Sequence, residues 1–294
     1  MKRKTALFPG LSLFLCFCLL TGSGALATYF GGGTLLIAAS ELISFALPML
    51  LLWVTMRQRE RLSKRLRPKP LPKGAIGFSV KLGVTVAVLS LFLNFLIYQL
   101  VGLAGADLSA TALDAPQTGL TALGRVAVIV VLSSLVEELY LRGSLLAAHE
   151  QLAGTGACLL VSGIAFAMLH GSLMNFIGPM VAGVAYAYLS YSFGSLWPAI
   201  IAHAVNNIYY VLVVWITETY SAFGIWNYFA AVNALILLLF LYLTLRAAER
   251  LLVRGSIPHF EKGAGRRDFW RLTANPGFLV FVLAFVAKAV LHWI

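Results

Sequence analysis

Charged residues are scarce in this sequence. Asp, Glu, Lys and Arg make up 11% of the 294 residues, whereas soluble globular domains contain about one quarter. Apolar residues make up 60%, and their runs approach the roughly 20 residues of a membrane-spanning helix rather than the roughly ten of a barrel strand. The composition therefore excludes a soluble domain and predicts an all-α polytopic membrane protein built as a helical bundle.

Cysteines are few as well. The three that occur are Cys16, Cys18 and Cys158, and each lies in an apolar run. An odd number of cysteines inside apolar segments is not a disulfide framework or a zinc knuckle. We interpret them as small hydrophobic residues of the helix interior.

Acidic residues are outnumbered two to one, 11 against 22 basic residues, which gives a net charge of +11. The basic residues cluster at residues 2–4, 57–73 and 246–271, between apolar runs. This clustering is typical of the positive-inside rule and places the amino terminus in the cytoplasm. The distribution predicts contact with a lipid bilayer, and no module for binding nucleic acid accompanies it.

The apolar runs predict about nine transmembrane helices. They lie near residues 6–27, 34–56, 76–102, 125–148, 156–171, 179–195, 198–217, 225–245 and 276–293. The first run also has the basic start, apolar centre and Ala-x-Ala end of a cleavable signal peptide. Both interpretations remain open, and we favour an uncleaved first span.

These spans fall into three parts. Residues 1–124 hold the amino-terminal helices with the basic loop 57–73, residues 125–217 hold the polar motifs, and residues 218–294 hold the carboxy-terminal helices with the basic loop 246–273.

The segment VEELYLRG places Glu137, Glu138 and Arg142 near the middle of a predicted span. Each charge costs about 2.5–3.5 kcal/mol at a helix centre unless it is paired or hydrated. Glu138 and Arg142 are four residues apart and share a helix face, which predicts an ion pair. Glu137 points elsewhere and is free to meet other helices. A purely structural ion network remains an alternative for this segment.

Two further segments carry polar residues within predicted spans. FAMLHG contains Phe166 and His170, and HAVNN contains His203 and Asn207, each pair spaced by one helical turn. Either segment alone is consistent with hydrogen bonding between helices. Together with Glu137, they supply the groups that activate water and stabilise an oxyanion, so we expect the three spans to meet in a shared pocket.

The three segments resemble the signature of the CPBP family of intramembrane proteases, also called Abi proteins, which includes the type II CAAX prenyl proteases. That signature is Glu-Glu-x-x-x-Arg, Phe-x-x-x-His and His-x-x-x-Asn or Asp on separate helices. The sequences EELYLR, FAMLH and HAVNN match it in order. The resemblance covers residues 125 to 215 and implies that this part is the catalytic core.

The resemblance also implies roles for the motif residues. Glu137 is the expected general base that polarises a water molecule, with His170 beside it. His203 and Asn207 are expected to stabilise the oxyanion, while Glu138, Arg142 and Phe166 support the site.

Metal use stays open in this interpretation. Glu137, His170 and His203 are candidate ligands of a catalytic zinc ion. No HExxH motif is present, and its nearest fragment, at His149, has Ala153 in place of the second histidine. Hydrolysis without a cofactor explains the same residues.

We expect an intramembrane endopeptidase that acts on a membrane-embedded or lipidated peptide. The chain's compactness favours the plasma membrane of a bacterial cell. Two alternatives remain: a non-catalytic immunity or scaffold member of the family, and an ion- or proton-coupled transporter that uses the intramembrane acids as a relay.

Overall fold

The structure is a computed structural model and describes residues 2–30, 33–55, 69–103, 120–220, 226–257 and 265–291. Within these ranges every regular element is a helix. Residues 57–68 of the first predicted basic loop and residues 258–264 of the second lie outside the described ranges. The predicted all-helical architecture is confirmed.

Ten helices follow one another along the described chain. They are α1 (Lys2–Phe30), α2 (Thr34–Thr55), α3 (Ala75–Leu103), α4 (five consecutive segments between Leu120 and His149), α5 (Thr155–Leu169), α6 (Ile177–Phe193), α7 (Trp197–Tyr220), α8 (Trp226–Val253), α9 (Arg266–Thr273) and α10 (Pro276–Leu291).

Five stretches are long and apolar enough to cross a membrane by length and composition. They are Ala6–Ala27, Thr34–Thr55, Ala75–Leu100, Trp197–Thr217 and Tyr228–Val253. A sixth span results if α9 and α10, which bend by 74° at their junction, are taken together. The polytopic membrane architecture is therefore confirmed in its coarse form.

The predicted count of nine spans is not confirmed. The fifth predicted span corresponds to α5, which has 15 residues and a length of about 22 Å, less than the roughly 30 Å of the bilayer core. The sixth corresponds to α6, with 17 residues, and the fourth to the segmented α4. Hydropathy detects these apolar runs, but it does not show where helix geometry changes.

Helix α4 is segmented by two stretches of π-helix, Val128–Ser133 and Leu139–Leu145. Between them lies a short α-helical segment, Ser134–Glu138, which carries both motif acids. π-Helical turns are rare and are frequent at functional sites, because the extra residue per turn redirects side chains and carbonyls. The helix that carries the first motif is therefore irregular on both sides of its two acids.

The other helices surround α4. Helix α2 packs along its length, α7 packs against its first half, and α5 contacts its second half. The hydroxyl groups of Ser12 on α1 and Tyr140 on α4 hydrogen-bond at 2.9 Å. This arrangement buries nearly the whole second half of α4.

Helices α5 and α6 cross at two glycines. A Cβ atom added to Gly163 would lie 2.7 Å from the carbonyl oxygen of Met180, and one added to Gly183 would lie 2.8 Å from the Cα atom of Gly163. Small residues allow such close approach between membrane helices. The close approach at Gly163 and Gly183 positions the second motif on α5.

Candidate active site

The core of the site is a buried ion pair on α4. The Nη1 atom of Arg142 donates to the Oε1 atom of Glu138 at 2.8 Å, and both side chains are fully buried. A charge removed from water this completely is tolerated only when its partner and further hydrogen bonds are present. The structure thus contains the pair predicted from the spacing of the two residues.

Arg142 also connects α4 to α5 and α6. Its Nη2 atom donates to the carbonyl oxygen of Gly183 at 2.9 Å. Its guanidinium carbon lies 4.8 Å from the centre of the Phe166 ring and 5.5 Å from that of Tyr186, within the range of cation–π attraction. Phe166 therefore contacts the ion pair directly, as a supporting residue of the site would.

His203 on α7 bonds to the same carboxylate. Its Nδ1 atom lies 2.9 Å from the Oε1 atom of Glu138, and because this oxygen already accepts from Arg142, Nδ1 is the donor. The imidazole stacks on the Tyr186 ring at 5.0 Å and 18°. The ring is buried and held in one orientation, which leaves Nε2 as its unused nitrogen.

His170 lies just after the last residue of α5. Its Nδ1 atom lies 2.8 Å from the carbonyl oxygen of Phe166, and since a carbonyl can only accept, Nδ1 carries the proton. The Nε2 atom then has a free lone pair when the ring is neutral. Gly171 follows with a φ of +67°, so the chain turns away here, and the imidazole is exposed.

The Phe166 ring lies between the two imidazoles. Its centre is 4.8 Å from that of His170 and 5.5 Å from that of His203, in edge-to-face geometry. Direct contacts thus bring together Glu138, Arg142, Phe166, His170 and His203, drawn from α4, α5 and α7. The convergence of the three predicted spans is observed for these five residues.

Glu137 differs from its neighbour Glu138. Its side chain is half-buried, and it makes no hydrogen bond to the imidazoles or to any other residue in the described ranges. The carboxylate of Glu138 is committed to Arg142 and His203, whereas that of Glu137 has no such partner in the described residues. No hydrogen bond joins Glu137 to His170 there, and the pairing of these two residues stays a prediction.

Asn207 on α7 connects to the first half of α4. Its Nδ2 atom donates to the carbonyl oxygen of Ile129 at 2.9 Å and to the hydroxyl oxygen of Ser134 at 3.1 Å. Ile129 lies in the first π-helical stretch, where carbonyls are released from regular α-helical bonding. Both N–H groups of Asn207 are occupied in this arrangement, so Asn207 joins two helices of the site.

A further acid outside the three motifs, Glu41, lies near the site. Glu41 on α2 hydrogen-bonds to Ser133 on α4 and interacts electrostatically with Glu137. A single acid within an apolar span is a functional candidate by default. That signal was present in the sequence, but nothing there indicated which helix α2 would pack against.

The arrangement of side chains also bears on metal binding. Among the residues that the structure describes, no group of three or more His, Cys, Asp or Glu side chains is placed to hold a metal ion. Glu137, His170 and His203, as placed, do not fit a three-ligand zinc site. The zinc site stays a prediction, and no chemical step is derived through a metal below.

Comparison with known proteins gives one match. Residues 119–209 match a family model described as Type II CAAX prenyl endopeptidase Rce1-like. No curated protein and no solved structure matches the sequence significantly. The matched segment contains all three motifs and agrees with the extent of the resemblance, 125 to 215. Over this segment, about a third of the chain, the protein is similar to the Rce1-like type II CAAX prenyl endopeptidases, a protease family.

Proposed function

We propose that the protein is an intramembrane endopeptidase that hydrolyses a peptide bond in a membrane-embedded or lipidated peptide. The observation that supports it most is the division of the two acids. Glu138 is neutralised within a buried network, whereas Glu137, next to it in the chain, keeps a carboxylate that no described residue engages in a hydrogen bond or ion pair. A general base needs this availability.

In the proposed reaction Glu137 takes a proton from a water molecule as its oxygen attacks the substrate carbonyl. The new C–O bond gives a tetrahedral intermediate with a negative oxygen. The C–N bond then breaks, and the leaving amine receives a proton from the protonated Glu137 or through His170. The free Nε2 atom of His170 is suited to that transfer, because Nδ1 is held by Phe166.

His203 and Asn207 are the proposed oxyanion donors. The Nδ1–H group of His203 faces Glu138, so His203 would donate to the oxyanion through Nε2 when the ring carries both protons. Asn207 must release Ile129 or Ser134 before it can donate to substrate. Such a release requires only a rotation of the Asn207 side chain.

The bilayer and the membrane helices define the proposed substrate class. The candidate residues lie on helices that pack among membrane-capable helices, so a peptide that already resides in the membrane reaches them most directly. The family name indicates prenylated CAAX-type ends as one such substrate. Other membrane peptides fit the same chemistry.

The test uses two probes in detergent micelles. One is a quenched fluorescent peptide that ends in a farnesylated cysteine followed by three residues, and the other is an unlipidated transmembrane peptide of equal length. We expect the wild type to cleave at least one probe and Glu137→Gln to cleave neither. The control is Glu249→Gln, because Glu249 is exposed and pairs with Arg246 at 3.0 Å.

The same assay tests the zinc prediction. Incubation with a strong chelator, followed by metal analysis of the purified protein, shows whether cleavage depends on a bound ion. Activity that disappears with chelation and returns with zinc would require a rearrangement of Glu137, His170 and His203. Failure of the wild type to cleave either probe would reject the endopeptidase and favour the scaffold or transporter.

A further inference from the structure

The face of α10 that packs into the bundle ends in a charged residue. Phe281, Phe285 and Lys288 follow one another at helical spacing and share this face. The two phenylalanines are buried against the Phe17 ring of α1, with 5.8 and 6.4 Å between ring centres. Leu283, on another face of α10, is 67% exposed. Lys288 therefore points toward α1 and the bundle rather than away from it.

The ammonium group of Lys288 has no anionic partner among the residues that the structure describes. Its Nζ atom lies 5.6 Å from the centre of the Phe17 ring, within the range of cation–π attraction. The side chain is half-buried, so a ligand can reach it. A lone cation within an apolar helix that faces the protein interior indicates a functional site whose partner is an anion.

Lys288 lies beside the residue that follows His170. A Cβ atom added to Gly171 would lie 2.5 Å from the Nζ atom of Lys288. Because a C–C bond is about 1.5 Å long, Nζ lies within about 4 Å of the Gly171 Cα atom. Consecutive Cα atoms are about 3.8 Å apart, so Nζ lies within about 8 Å of the His170 Cα atom. The ammonium group is thus next to a candidate catalytic residue.

Two sets of contacts hold α10 in this place. Helices α1 and α10 cross at Gly10 and Gly277, where a Cβ atom added to either glycine would meet the backbone of the other helix. Phe176, in the segment that joins α5 to α6, packs on Phe285 with 6.0 Å between ring centres. The position of Lys288 relative to His170 is therefore fixed by packing on both sides of α10.

We propose that Lys288 binds the terminal carboxylate of the peptide substrate, an inference that rests on the proposed function. The ammonium group donates charge-assisted hydrogen bonds to that carboxylate. An extended peptide spans about 3.3–3.6 Å per residue, so a carboxylate held by Lys288 leaves a bond a few residues away beside His170. Lys288 is then a specificity-determining residue that directs cleavage to the end of a peptide with a free carboxyl group.

The alternatives are a lysine that only packs on Phe17 and a lysine that binds the phosphate of a lipid. A peptide with a terminal amide separates them from the proposal, because the amide removes the charge and keeps the chain length. Packing or lipid binding affects the acid and amide forms of a peptide equally. Recognition of the carboxylate affects the acid form alone.

The first measurement is kcat/KM for the acid and amide forms of whichever probe the wild type cleaves, in a neutral detergent. We expect the wild type to prefer the acid form by about 10- to 100-fold, as a hydrogen bond between charged groups allows. Lys288→Met should lose this preference by slowing cleavage of the acid form and leaving the amide form unchanged. Lys288→Arg should keep most of it, because the charge remains.

The matched control is Lys81→Met. Lys81 is also a half-buried lysine of a membrane-capable helix, and its Nζ atom donates to the carbonyl oxygen of Gly77 at 3.1 Å. This variant should keep the wild-type preference. Equal cleavage of the two forms by the wild type, or an undiminished preference in Lys288→Met, would overturn the proposal.

The second measurement does not depend on cleavage. Fluorescence anisotropy compares binding of labelled acid and amide peptides to Glu137→Gln and to Glu137→Gln/Lys288→Met. We expect about tenfold or more tighter binding of the acid form to the first and equal binding of both forms to the second. If the wild type cleaves no probe but binding follows this pattern, the endopeptidase fails and the carboxylate site stands. If cleavage depends on Glu137 but both forms are bound and cleaved alike, only the role of Lys288 fails.

Discussion

The Nδ1 atom of His203 donates to the Oε1 atom of Glu138 at 2.9 Å, although 65 residues separate them. The same oxygen accepts from Arg142 at 2.8 Å. This single carboxylate oxygen therefore joins the first and third motifs. The second motif joins them through Phe166, whose ring contacts both Arg142 and His203.

Loss of the buried pair should strongly destabilise the protein. In Arg142→Met the Glu138 carboxylate keeps its burial and loses a charged partner, so we expect the free energy of unfolding to fall by about 3–5 kcal/mol. Thermal unfolding in detergent measures this. Arg246→Met is the control, since its exposed pair with Glu249 contributes about 0–1 kcal/mol. Equal melting temperatures for the two variants would contradict the network.

His170 and His203 should respond differently to substitution by glutamine. His170 is exposed and its ring makes one hydrogen bond, to a backbone carbonyl, so His170→Gln should lower kcat by about 10²–10⁴-fold with little change in melting temperature. His203 is buried and bonded to Glu138. His203→Gln should therefore lower both kcat and melting temperature. A loss of stability in His170→Gln that equals the loss in His203→Gln would argue against this division.

Asn207 should have both a structural and a catalytic effect. In Asn207→Ala the carbonyl of Ile129 and the hydroxyl of Ser134 lose a donor, which lowers the free energy of unfolding by about 0.5–2 kcal/mol. Loss of an oxyanion donor should lower kcat by about 10²–10³-fold. Ser134→Ala removes one acceptor and keeps the amide, so it should leave kcat little changed. Equal kcat values for the two variants would exclude the oxyanion role of Asn207.

The crossing of α5 and α6 should not tolerate a methyl group. In Gly163→Ala the new Cβ atom meets the Met180 carbonyl oxygen at 2.7 Å and the Cγ2 atom of Val184 at 2.5 Å. We expect a loss of about 1–3 kcal/mol in unfolding free energy. Gly22→Ala is the matched control, because nothing lies within 4 Å of its added Cβ atom. A Gly163→Ala variant with the melting temperature of Gly22→Ala would refute the close crossing.

The sequence predicted the ion pair on α4 because helical spacing places Glu138 and Arg142 on one face and separates Glu137 from Glu138. Residues four apart share a face, and the Glu138–Arg142 pair follows from that rule. The assignment to the class of membrane proteins followed as directly from the amino-acid composition. These features depend on local periodicity, which a single sequence records.

Other features depend on which helices meet, and a single sequence does not record that. The proximity of Glu41 to Glu137 results from α2 packing along α4. The hydrogen bond from Asn207 to the carbonyl oxygen of Ile129 depends on a π-helical stretch, and the largely apolar sequence VIVVLS does not reveal that geometry. The predicted count of nine spans is not confirmed because α5 and α6 are apolar but shorter than the helices that meet the length for crossing a membrane.

The central claim is that Glu137, and not Glu138, activates the hydrolytic water. Mass spectrometry of the probe peptides measures it directly, with wild type and Glu137→Gln compared at equal amounts of folded protein. The account predicts a single hydrolysed bond with the wild type and a rate lower by about 10²-fold or more with Glu137→Gln. Cleavage of the same bond at the wild-type rate by Glu137→Gln would contradict it.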